Sequence, residues 1–447
     1  MQCDATHYLA VSYAIKRNLR LIAVVQAELP PGAGTKHGAC AVKELCYKRS
    51  EPGPDRQILD QAPATVQCGI MSQIRKSNFS KARIACVGGF LGCGKTTAVI
   101  EAAQRLVERG LRICIITNDQ GHQLVDTALV RSRGINAVEI GGGCFCCRFD
   151  EFAIHAQRLV KQHRAQVILA EAVGSCADLA ASVYKRFRQY YSEEFVLAPL
   201  TVLVDPHRIR EMLGSCPEFD ENVRYLFGKQ LAEADRVVLT KSDLLSDEEI
   251  ARLRNDLQQL AGNVPVSVMS ARNGSGVDEW VEQIMTGQTG ERELELDYAL
   301  YGRAEACLGW LNASIDLISQ KEFHSTDLGE ALMASVQESG RIVGWSVAHV
   351  KIMLLTADGN NWIALTDSRG PAVWGGSHEL SPCLEASMIV NARVVADPLR
   401  LRLLIEECVQ KVTHSRDIKA TVRHLESFSP LPPKPSDVFH DSRSLFP

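Results

Sequence analysis

The sequence predicts an α/β protein, in which a parallel sheet covered by helices on both faces is followed by a smaller α+β domain. Two observations predict this fold class. From Ala82 onward, short and almost wholly apolar segments alternate with segments of helical spacing, as strands buried on both faces require. Beyond residue 297, longer apolar segments flank the turn signal Asp358-Gly359-Asn360, which indicates antiparallel strands.

The elements of the parallel sheet follow from local pattern. Short apolar runs between turn residues indicate strands, and apolar residues recurring every three or four positions indicate helices. The predicted strands are Ala82–Gly88, Leu111–Thr117, Ala137–Ile140, Gln166–Ala170, Leu200–Val204, Arg236–Thr240 and Val264–Ser270. The predicted helices are Lys95–Arg109, which stops at Gly110, then Gln123–Arg133 and Phe149–His163, and each later strand is followed by a further helical stretch.

The same patterns set the domain boundaries. Residues 1–78 lack sustained periodicity and are predicted to be a poorly structured extension, the main domain covers 79–287, and 288–296 is a linker. The C-terminal α+β domain covers 297–425, and 426–447 is a proline-rich tail. Its predicted elements are the helices Leu328–Ser339 and Pro398–Val412 and the strands His349–Ala357, Asn361–Asp367 and Ala386–Ala396.

Composition excludes several classes of function. The net charge is -4 and the pI about 6.3, which argues against a nucleic-acid-binding surface over the whole chain. No apolar run reaches the length of a membrane span, and the first residues lack the pattern of a signal peptide. We therefore expect a cytoplasmic protein without nucleic-acid or membrane partners.

A glycine-rich loop predicts a nucleotide site. Gly89-Phe-Leu-Gly-Cys-Gly-Lys-Thr96 matches GxxxxGK[ST] and lies between a predicted strand and a predicted helix. In such a P-loop the backbone N–H groups surround the phosphates, the lysine reaches the β- and γ-phosphates, and the threonine hydroxyl binds Mg²⁺. The expected nucleotide-binding residues here are Gly89, Gly92, Cys93, Gly94, Lys95, Thr96 and Thr97.

The base is predicted from Thr240-Lys241-Ser242-Asp243, which follows a later strand. A carboxylate at Asp243 accepts the ring N–H and the exocyclic amine of guanine, a donor pair that adenine lacks. Thr240 stands where the usual NKxD pattern has asparagine. The alternative is a solvated Lys/Asp turn. The position of this segment, two strand–helix units after the P-loop, favours guanine.

Two acidic residues lie at the carboxyl ends of parallel strands beside the P-loop. Asp119 follows the second strand and Glu171 follows the strand Gln166–Ala170, at the edge where α/β sheets bind ligands. We expect one to hold Mg²⁺ and the other to orient the attacking water. Gly174 is expected to bond the γ-phosphate and to act as a hinge. Helix capping by either carboxylate is the alternative.

Three cysteines follow three glycines in Gly141-Gly-Gly-Cys144-Phe-Cys146-Cys147. Thiolates this close together suit a soft or borderline metal such as Zn²⁺. The expected metal ligands are Cys144, Cys146 and Cys147, with His122, His155 or a second subunit as sources of a fourth. Buried free thiols or a redox pair are the alternatives. Cys93 and Cys176 are expected near the nucleotide, as space-filling residues or as a further thiol.

In their order along the chain, GGFLGCGKTT, GGGCFCC, EAVG and TKSD resemble the CobW/HypB/UreG family of P-loop GTPases, and the CxCC motif indicates its CobW branch. The resemblance implies a GTP-dependent metallochaperone or metallocofactor-insertion factor whose cargo is Zn²⁺, Co²⁺ or Ni²⁺. It assigns Gly89–Thr97 to nucleotide and Mg²⁺, and Glu171 and Gly174 to a Mg²⁺-linked switch. It assigns the three clustered cysteines to cargo metal, and Lys241 and Asp243 to guanine.

We therefore expect a slow GTPase that couples hydrolysis to the transfer of a thiolate-bound divalent metal to a client metalloprotein, with a homodimer as one possible assembly. Its expected catalytic residues are Lys95, Glu171 and Asp119, and its expected Mg²⁺ ligands are Thr96, Asp119 and Glu171. Two alternatives stay open, namely a GTP-gated chaperone for a cobalamin or corrinoid enzyme and a P-loop small-molecule kinase. The kinase predicts a preference for adenine.

Overall fold

The computed structural model of the chain describes residues 81–121, 125–214, 219–290, 294–376 and 380–432, together with three short strands nearer the N-terminus. These strands, β1 (Tyr13–Lys16), β2 (Arg20–Ala23) and β3 (Cys46–Tyr47), form a small antiparallel sheet. The rest of the predicted N-terminal extension lies outside the described residues. The chain divides into two units, Met1–Phe79 and Ser80–Pro447, and the second contains both the parallel sheet and the C-terminal antiparallel sheet.

Eight parallel strands form the sheet of the α/β domain, which confirms the predicted fold class, although β8 was not among the seven predicted strands. Its strand order is β11-β10-β9-β4-β7-β5-β6, with β8 beside β4. Because β4 is central and buried, the loop that follows it opens in the middle of the carboxyl edge. The strands are β4 (Ala82–Gly88), β5 (Ile113–Asn118), β6 (Asn136–Ile140), β7 (Val167–Glu171), β8 (Phe195–Leu197), β9 (Thr201–Val204), β10 (Arg236–Leu239) and β11 (Val266–Val268).

Helices cover both faces of this sheet. One face packs against aromatic residues such as Phe149 and Phe187, and the other packs against the first and last helices of the domain. The side chain of Asp205 caps one helix by accepting from Arg208 N. The helices are α1 (Lys95–Glu108), α2 (Val125–Ser132), α3 (Phe149–His163), α4 (Lys185–Tyr190), α5 (Pro206–Leu213), α6 (Glu221–Glu233), α7 (Asp247–Ala261) and α8 (Val277–Thr286). Among the described residues no helix combines the length and apolar character of a membrane span.

The C-terminal domain is a six-stranded antiparallel sheet with two long helices, which confirms the predicted α+β class. The strand order is β15-β14-β13-β16-β12-β17. The sequence interpretation missed β12, β15, β17 and the helix α9. β17 runs to Phe428, into the predicted tail. The elements are α9 (Tyr298–Ala306), β12 (Leu308–Phe323), α10 (Ser325–Ile342), β13 (Ser346–Thr356), β14 (Gly359–Leu365), β15 (Val373–Gly376), β16 (Cys383–Val395), α11 (Pro398–His414) and β17 (Ile418–Phe428).

The two faces of the C-terminal sheet differ in character. One face packs on α10 and α11 through alternate apolar residues such as Leu311, Ile352 and Val390. The intervening positions of the central strands carry polar and aromatic side chains, which meet the α/β domain. Lys351 pairs with Asp126, and Arg393 pairs with Asp119. The C-terminal sheet therefore closes over the carboxyl edge of the parallel sheet.

Replacing Arg393 with methionine should strongly destabilise the protein. Arg393 is 2% exposed, and its guanidinium donates to the Asp119 carboxylate oxygens at 3.0 and 2.9 Å and to Asn312 Oδ1 at 2.8 Å. It also lies 4.1 Å from the centroid of the Trp310 ring. Breaking a buried ion pair leaves the other charge uncompensated, which costs about 3–5 kcal/mol. Urea unfolding followed by tryptophan fluorescence measures the loss.

Arg402→Met is the matched control. Arg402 pairs with Glu406 at 3.1 Å on the outer side of α11, where the Arg402 side chain is 50% exposed and that of Glu406 30% exposed. The loss there should stay within about 0.5 kcal/mol. Equal losses for the two variants would contradict the view that the Arg393 pair holds the two domains together.

Candidate functional site

The loop between β4 and α1 has the backbone shape of a phosphate site. Gly89, Gly92 and Gly94 have φ values of 130°, 78° and 94°, which favour glycine. A Cβ at Gly89 would lie 2.3 Å from Leu203 O, so no other residue fits there. The loop curls around Lys95, whose Nζ donates to Gly89 O at 2.7 Å and to Phe90 O at 3.2 Å.

A cavity of about 700 Å³ opens beside this loop. The predicted nucleotide-binding residues that line it are Gly92, Cys93, Gly94, Lys95, Thr96, Thr97, Gly174, Thr240, Lys241 and Asp243. Gly89 is not in the lining but accepts the Lys95 hydrogen bond. The C-terminal sheet supplies the opposite wall with residues such as His349, Lys351 and Trp362. The sequence did not indicate that the second domain would complete the pocket.

One end of the cavity carries the predicted base-binding segment. The Ser270 hydroxyl donates to Asp243 Oδ1 at 2.6 Å and so fixes the carboxylate. The Thr240 hydroxyl donates to Cys93 O at 2.8 Å, so this side chain supports the P-loop rather than a base. Lys241 lies in the left-handed region and reaches Asp205 Oδ2 at 3.5 Å. Within this segment, Asp243 is therefore the residue whose carboxylate is oriented by a neighbour, through the hydrogen bond from Ser270.

The cation end of the cavity joins a hydroxyl and two carboxylates. Thr96 Oγ1 donates to Glu171 Oε1 at 2.8 Å. Glu171 Oε2 is buried and has no hydrogen-bond partner among the described residues. Burial, reinforced by the negative charge of Asp126, raises the pKa of Glu171 to about 8. A buried carboxylate with an unpartnered oxygen beside a threonine hydroxyl fits a hard divalent cation such as Mg²⁺.

Asp126, rather than the predicted Asp119, is the aspartate that lies beside Thr96. We predicted Asp119 beside the cation, but its carboxylate is engaged by Arg393, although it still lines the cavity. Asp126, which the sequence interpretation missed, hydrogen-bonds with Thr96 and accepts from Lys351 Nζ at 2.7 Å. Burial acts to raise the pKa of Asp126, but the Lys351 ammonium outweighs it and holds that pKa well below its usual range. Asp126 follows no strand directly, so no motif indicated it.

His349 faces the cavity from the C-terminal sheet and should make stability depend on pH. Burial, aided by the positive charges of Lys351 and Arg393 and opposed by Asp126, lowers the pKa of His349 from 6.5 to about 3. Below pH 6.5 the unfolded chain takes up a proton that the folded chain does not, so stability is lost as the pH falls. His349→Gln should reduce the loss between about pH 7.5 and 5 by about 1–2 kcal/mol.

Thermal or urea unfolding at several pH values checks this expectation. The exposed His324 at the start of α10 gives the control, because His324→Gln should leave the pH profile unchanged. A His349→Gln profile that overlays that of the unmodified protein would contradict a neutral, buried imidazole.

The three clustered cysteines lie together at the start of α3. Cys144 Sγ is 3.5 Å from Cys147 Sγ, Cys146 Sγ is 4.0 Å from Cys147 Sγ, and all three sulfurs lie within 4.8 Å of one another. Cys144 and Cys146 are buried, whereas Cys147 is half-buried and gives access from solvent. Hydrogen bonding with Cys144 and Cys147 raises the pKa of Cys146. No disulfide joins the described cysteines.

Asn118, at the end of β5, holds the cysteine loop in place, and the sequence interpretation missed it. Its side chain donates to Ile140 O at 2.9 Å and Gly143 O at 2.7 Å, and accepts from Phe145 N at 2.9 Å. Asn118 also lines the nucleotide cavity. The Asn118 side chain therefore contacts the cysteine loop at the border of the nucleotide cavity. Its position just before Asp119 was the available signal.

The other residues proposed for this region have different surroundings. His122 lies outside the described residues. His155 Nε2 is 3.7 Å from Glu151 on α3. Arg148, next to the cysteines, donates through Nε to the same Glu151 at 2.8 Å and does not line the cavity. Cys176 is buried, with its sulfur 3.9 Å from Cys146 Sγ.

The chain is similar to known proteins. The chain is 26% identical over 242 residues to a protein of Pseudomonas aeruginosa described as "Zinc chaperone CobW", covering 49% of this chain and 63% of the relative. It is 25% identical over 189 residues to "Zinc chaperone YjiA" of Escherichia coli, covering 41% and 56%. The match thus spans less than two thirds of either relative. A solved structure of HypB from Helicobacter pylori with nickel aligns at a TM-score of 0.34 and 16% identity, over 49% of this chain and 93% of that one.

The family match falls on the part of the chain that carries the motifs. Residues 83–268 match the family described as "CobW/HypB/UreG, nucleotide-binding domain". This range contains the P-loop, the cysteine loop, Glu171 and Asp243, and it ends with the last strand of the parallel sheet. The α/β domain therefore belongs to the CobW/HypB/UreG family of nucleotide-binding domains.

Proposed function

We propose that this protein binds and hydrolyses GTP in order to hold and release a thiolate-bound divalent metal, which it passes to a client metalloprotein. The observation that supports the proposal is that the nucleotide cavity and the cysteine cluster share the residue Asn118. Asn118 lines the nucleotide cavity and holds the loop of Cys144, Cys146 and Cys147. A site that binds nucleotide and a site that binds metal are thereby joined by one side chain.

The nucleotide half of the proposal rests on the P-loop and on Asp243. Lys95 would leave its two loop carbonyls to reach the β- and γ-phosphates, as lysines of this motif do. Asp243, oriented by Ser270, would accept both guanine donors. Thr96 and Glu171 would hold Mg²⁺, which when bound neutralises phosphate charge. The raised pKa of Glu171 means that cation binding should release a proton from this carboxyl.

The metal half rests on the geometry of three sulfurs. Each thiol gives up a proton when it ligates a divalent ion, so binding should release protons and weaken at low pH. The relatives described as zinc chaperones favour Zn²⁺ as cargo, with Co²⁺ and Ni²⁺ as alternatives. A cytoplasmic location, a protein client and a homodimer are further parts of the same proposal.

We propose that the nucleotide site and the metal site are coupled through the ends of two adjacent strands. Asn118 ends β5 and Glu171 ends the adjacent β7, and the two strands pair in parallel. A change in phosphate contacts at Glu171 is therefore transmitted to the edge that holds the cysteine loop. In the GTP state the loop would gather the sulfurs, and hydrolysis would loosen it.

Zinc titration of the purified full chain tests the metal half. Under reducing conditions, competition with a chromogenic chelator should give one tightly bound Zn²⁺ per chain. Binding should be lost in the Cys144→Ser/Cys146→Ser/Cys147→Ser variant. Cys114→Ser, in the buried strand β5, is the matched control and should bind normally. Equal zinc binding by the triple variant would refute the cargo site, whereas the nucleotide half would stand or fall with GTP binding measured in parallel.

A further inference from the structure

A fourth sulfur lies beside the cysteine cluster. Cys176 lies in the loop after β7, 30 positions from Cys146 in the sequence, and its Sγ is 3.9 Å from Cys146 Sγ. It is 1% exposed, so it faces the cluster and not solvent. We propose that Cys176 is the fourth thiolate of the metal site and that it ties the bound ion to the Glu171–Cys176 loop, an inference that rests on the metal-transfer function proposed above.

Three of the sulfur separations are close to those of a tetrahedral shell. With Zn–S bonds of about 2.3 Å, two ligands of a tetrahedron lie about 3.8 Å apart. The separations are 3.5 Å for Cys144–Cys147, 4.0 Å for Cys146–Cys147 and 3.9 Å for Cys146–Cys176. These three separations link the four sulfurs in a chain. Because the sulfurs that all lie within 4.8 Å of one another are those of Cys144, Cys146 and Cys147, the Cys176 loop must move toward them for one ion to be ligated by all four.

The surroundings of Cys176 suit a ligand held as a thiolate. The Asp178 backbone N–H and the Tyr301 hydroxyl both donate toward its sulfur. Donors of this kind orient a thiolate and offset the charge of a buried metal–sulfur group. Its backbone is held as well, because the buried Gln230 side chain donates to Gly174 O and Cys176 O, each at 2.9 Å. A space-filling cysteine needs none of these contacts.

The loop that carries Cys176 begins at Glu171, beside the P-loop. Glu171 accepts the hydrogen bond from Thr96, and Gly174 packs so closely on the P-loop that an added Cβ would lie 2.7 Å from Leu91 Cδ2. A small displacement at the phosphates would therefore move Cys176. The three clustered cysteines belong to another loop, which is held through Asn118 instead.

This arrangement gives a specific route for metal release. A shell of four thiolates is closed, whereas transfer to another protein requires an open coordination position. Withdrawal of Cys176 with its loop would leave three thiolates and one open position for a ligand from the client. The Cys176 thiolate would take up a proton as its bond to the metal breaks, so charge and protons balance.

Cobalt substitution tests the proposal on the full chain. Co²⁺ is added anaerobically to the unmodified protein, to Cys176→Ala and to the control Cys114→Ala, and thiolate-to-cobalt absorption is recorded at saturation. We expect one Co²⁺ per chain in all three, with absorption in Cys176→Ala reduced by about a quarter, as loss of one of four thiolates requires. Its ligand-field bands should also move to shorter wavelength. Equal spectra for the three proteins would overturn the assignment of Cys176.

A second measurement needs no variant. X-ray absorption of the zinc-loaded, unmodified protein counts sulfur neighbours at about 2.3 Å, and we expect four. Three sulfurs with one lighter atom would overturn the role of Cys176 while leaving the metal site intact. Failure of the unmodified protein to bind Co²⁺ or Zn²⁺ would instead overturn the proposed metal-transfer function, and the inference with it.

Discussion

Asp243→Asn should convert the protein from a GTP-binding to a xanthosine-triphosphate-binding protein. In the proposed GTP complex the Asp243 carboxylate accepts from two guanine donors, whereas the amide group of an asparagine would place a donor opposite one of them. A site left with mismatched buried polar groups rejects its ligand strongly, so GTP affinity should fall by about 10³–10⁴-fold. Xanthine carries a carbonyl in place of the exocyclic amine, which matches the new amide. Fluorescent-nucleotide competition measures both affinities.

A matched variant separates base recognition from general damage. Asp247→Asn changes an exposed carboxylate at the start of α7, outside the cavity lining, and should leave GTP affinity unchanged. If Asp243→Asn lost GTP binding without gaining xanthosine triphosphate, the carboxylate would have a structural role only. If it kept GTP binding, the predicted guanine site would be wrong.

Lys95→Ala should abolish GTP turnover. Lys95 is 7% exposed and its ammonium is the cation within the phosphate loop, held at Gly89 O and Phe90 O. Removing one preorganised donor from a transition state typically costs about 10²–10³-fold in rate. Release of inorganic phosphate under single-turnover conditions measures the effect.

Lys161→Ala, on the exposed side of α3, should hydrolyse GTP at the rate of the unmodified protein. Because Lys95 also supports the loop, the unfolding midpoint of Lys95→Ala must be measured beside its activity. A folded Lys95→Ala variant with an undiminished rate would exclude the P-loop as the hydrolytic centre.

Local pattern was enough to predict the parallel sheet and its phosphate loop. β4 and α3 have the predicted bounds, because an apolar run before glycines and a helix between clear end signals are short-range features. The cysteine cluster was equally accessible, since three thiols within four residues must lie close together. Asp243 lines the cavity as the motif predicted.

Contacts between segments that are distant in the sequence could not be predicted from local sequence pattern. Cys176 meets Cys146 because β7 and the loop after β6 end at the same sheet edge, although 30 residues separate them. Arg393 reaches Asp119 across 274 positions, and no local pattern signals such a pair. β12 was missed although its local pattern was sufficient to predict it. Apolar Leu311, Ala313 and Ile315 alternate with polar residues, which is typical of a strand.

Nucleotide state is proposed to set metal affinity, and one titration tests this directly. Zn²⁺ affinity of the full chain is measured by chelator competition with Mg²⁺ and either a non-hydrolysable GTP analogue or GDP. Coupling between sites is typically worth 1–3 kcal/mol, so the analogue should tighten zinc binding by about tenfold or more, and Cys146→Ala should remove the difference. Equal zinc affinities in the two nucleotide states of the unmodified protein would contradict the account.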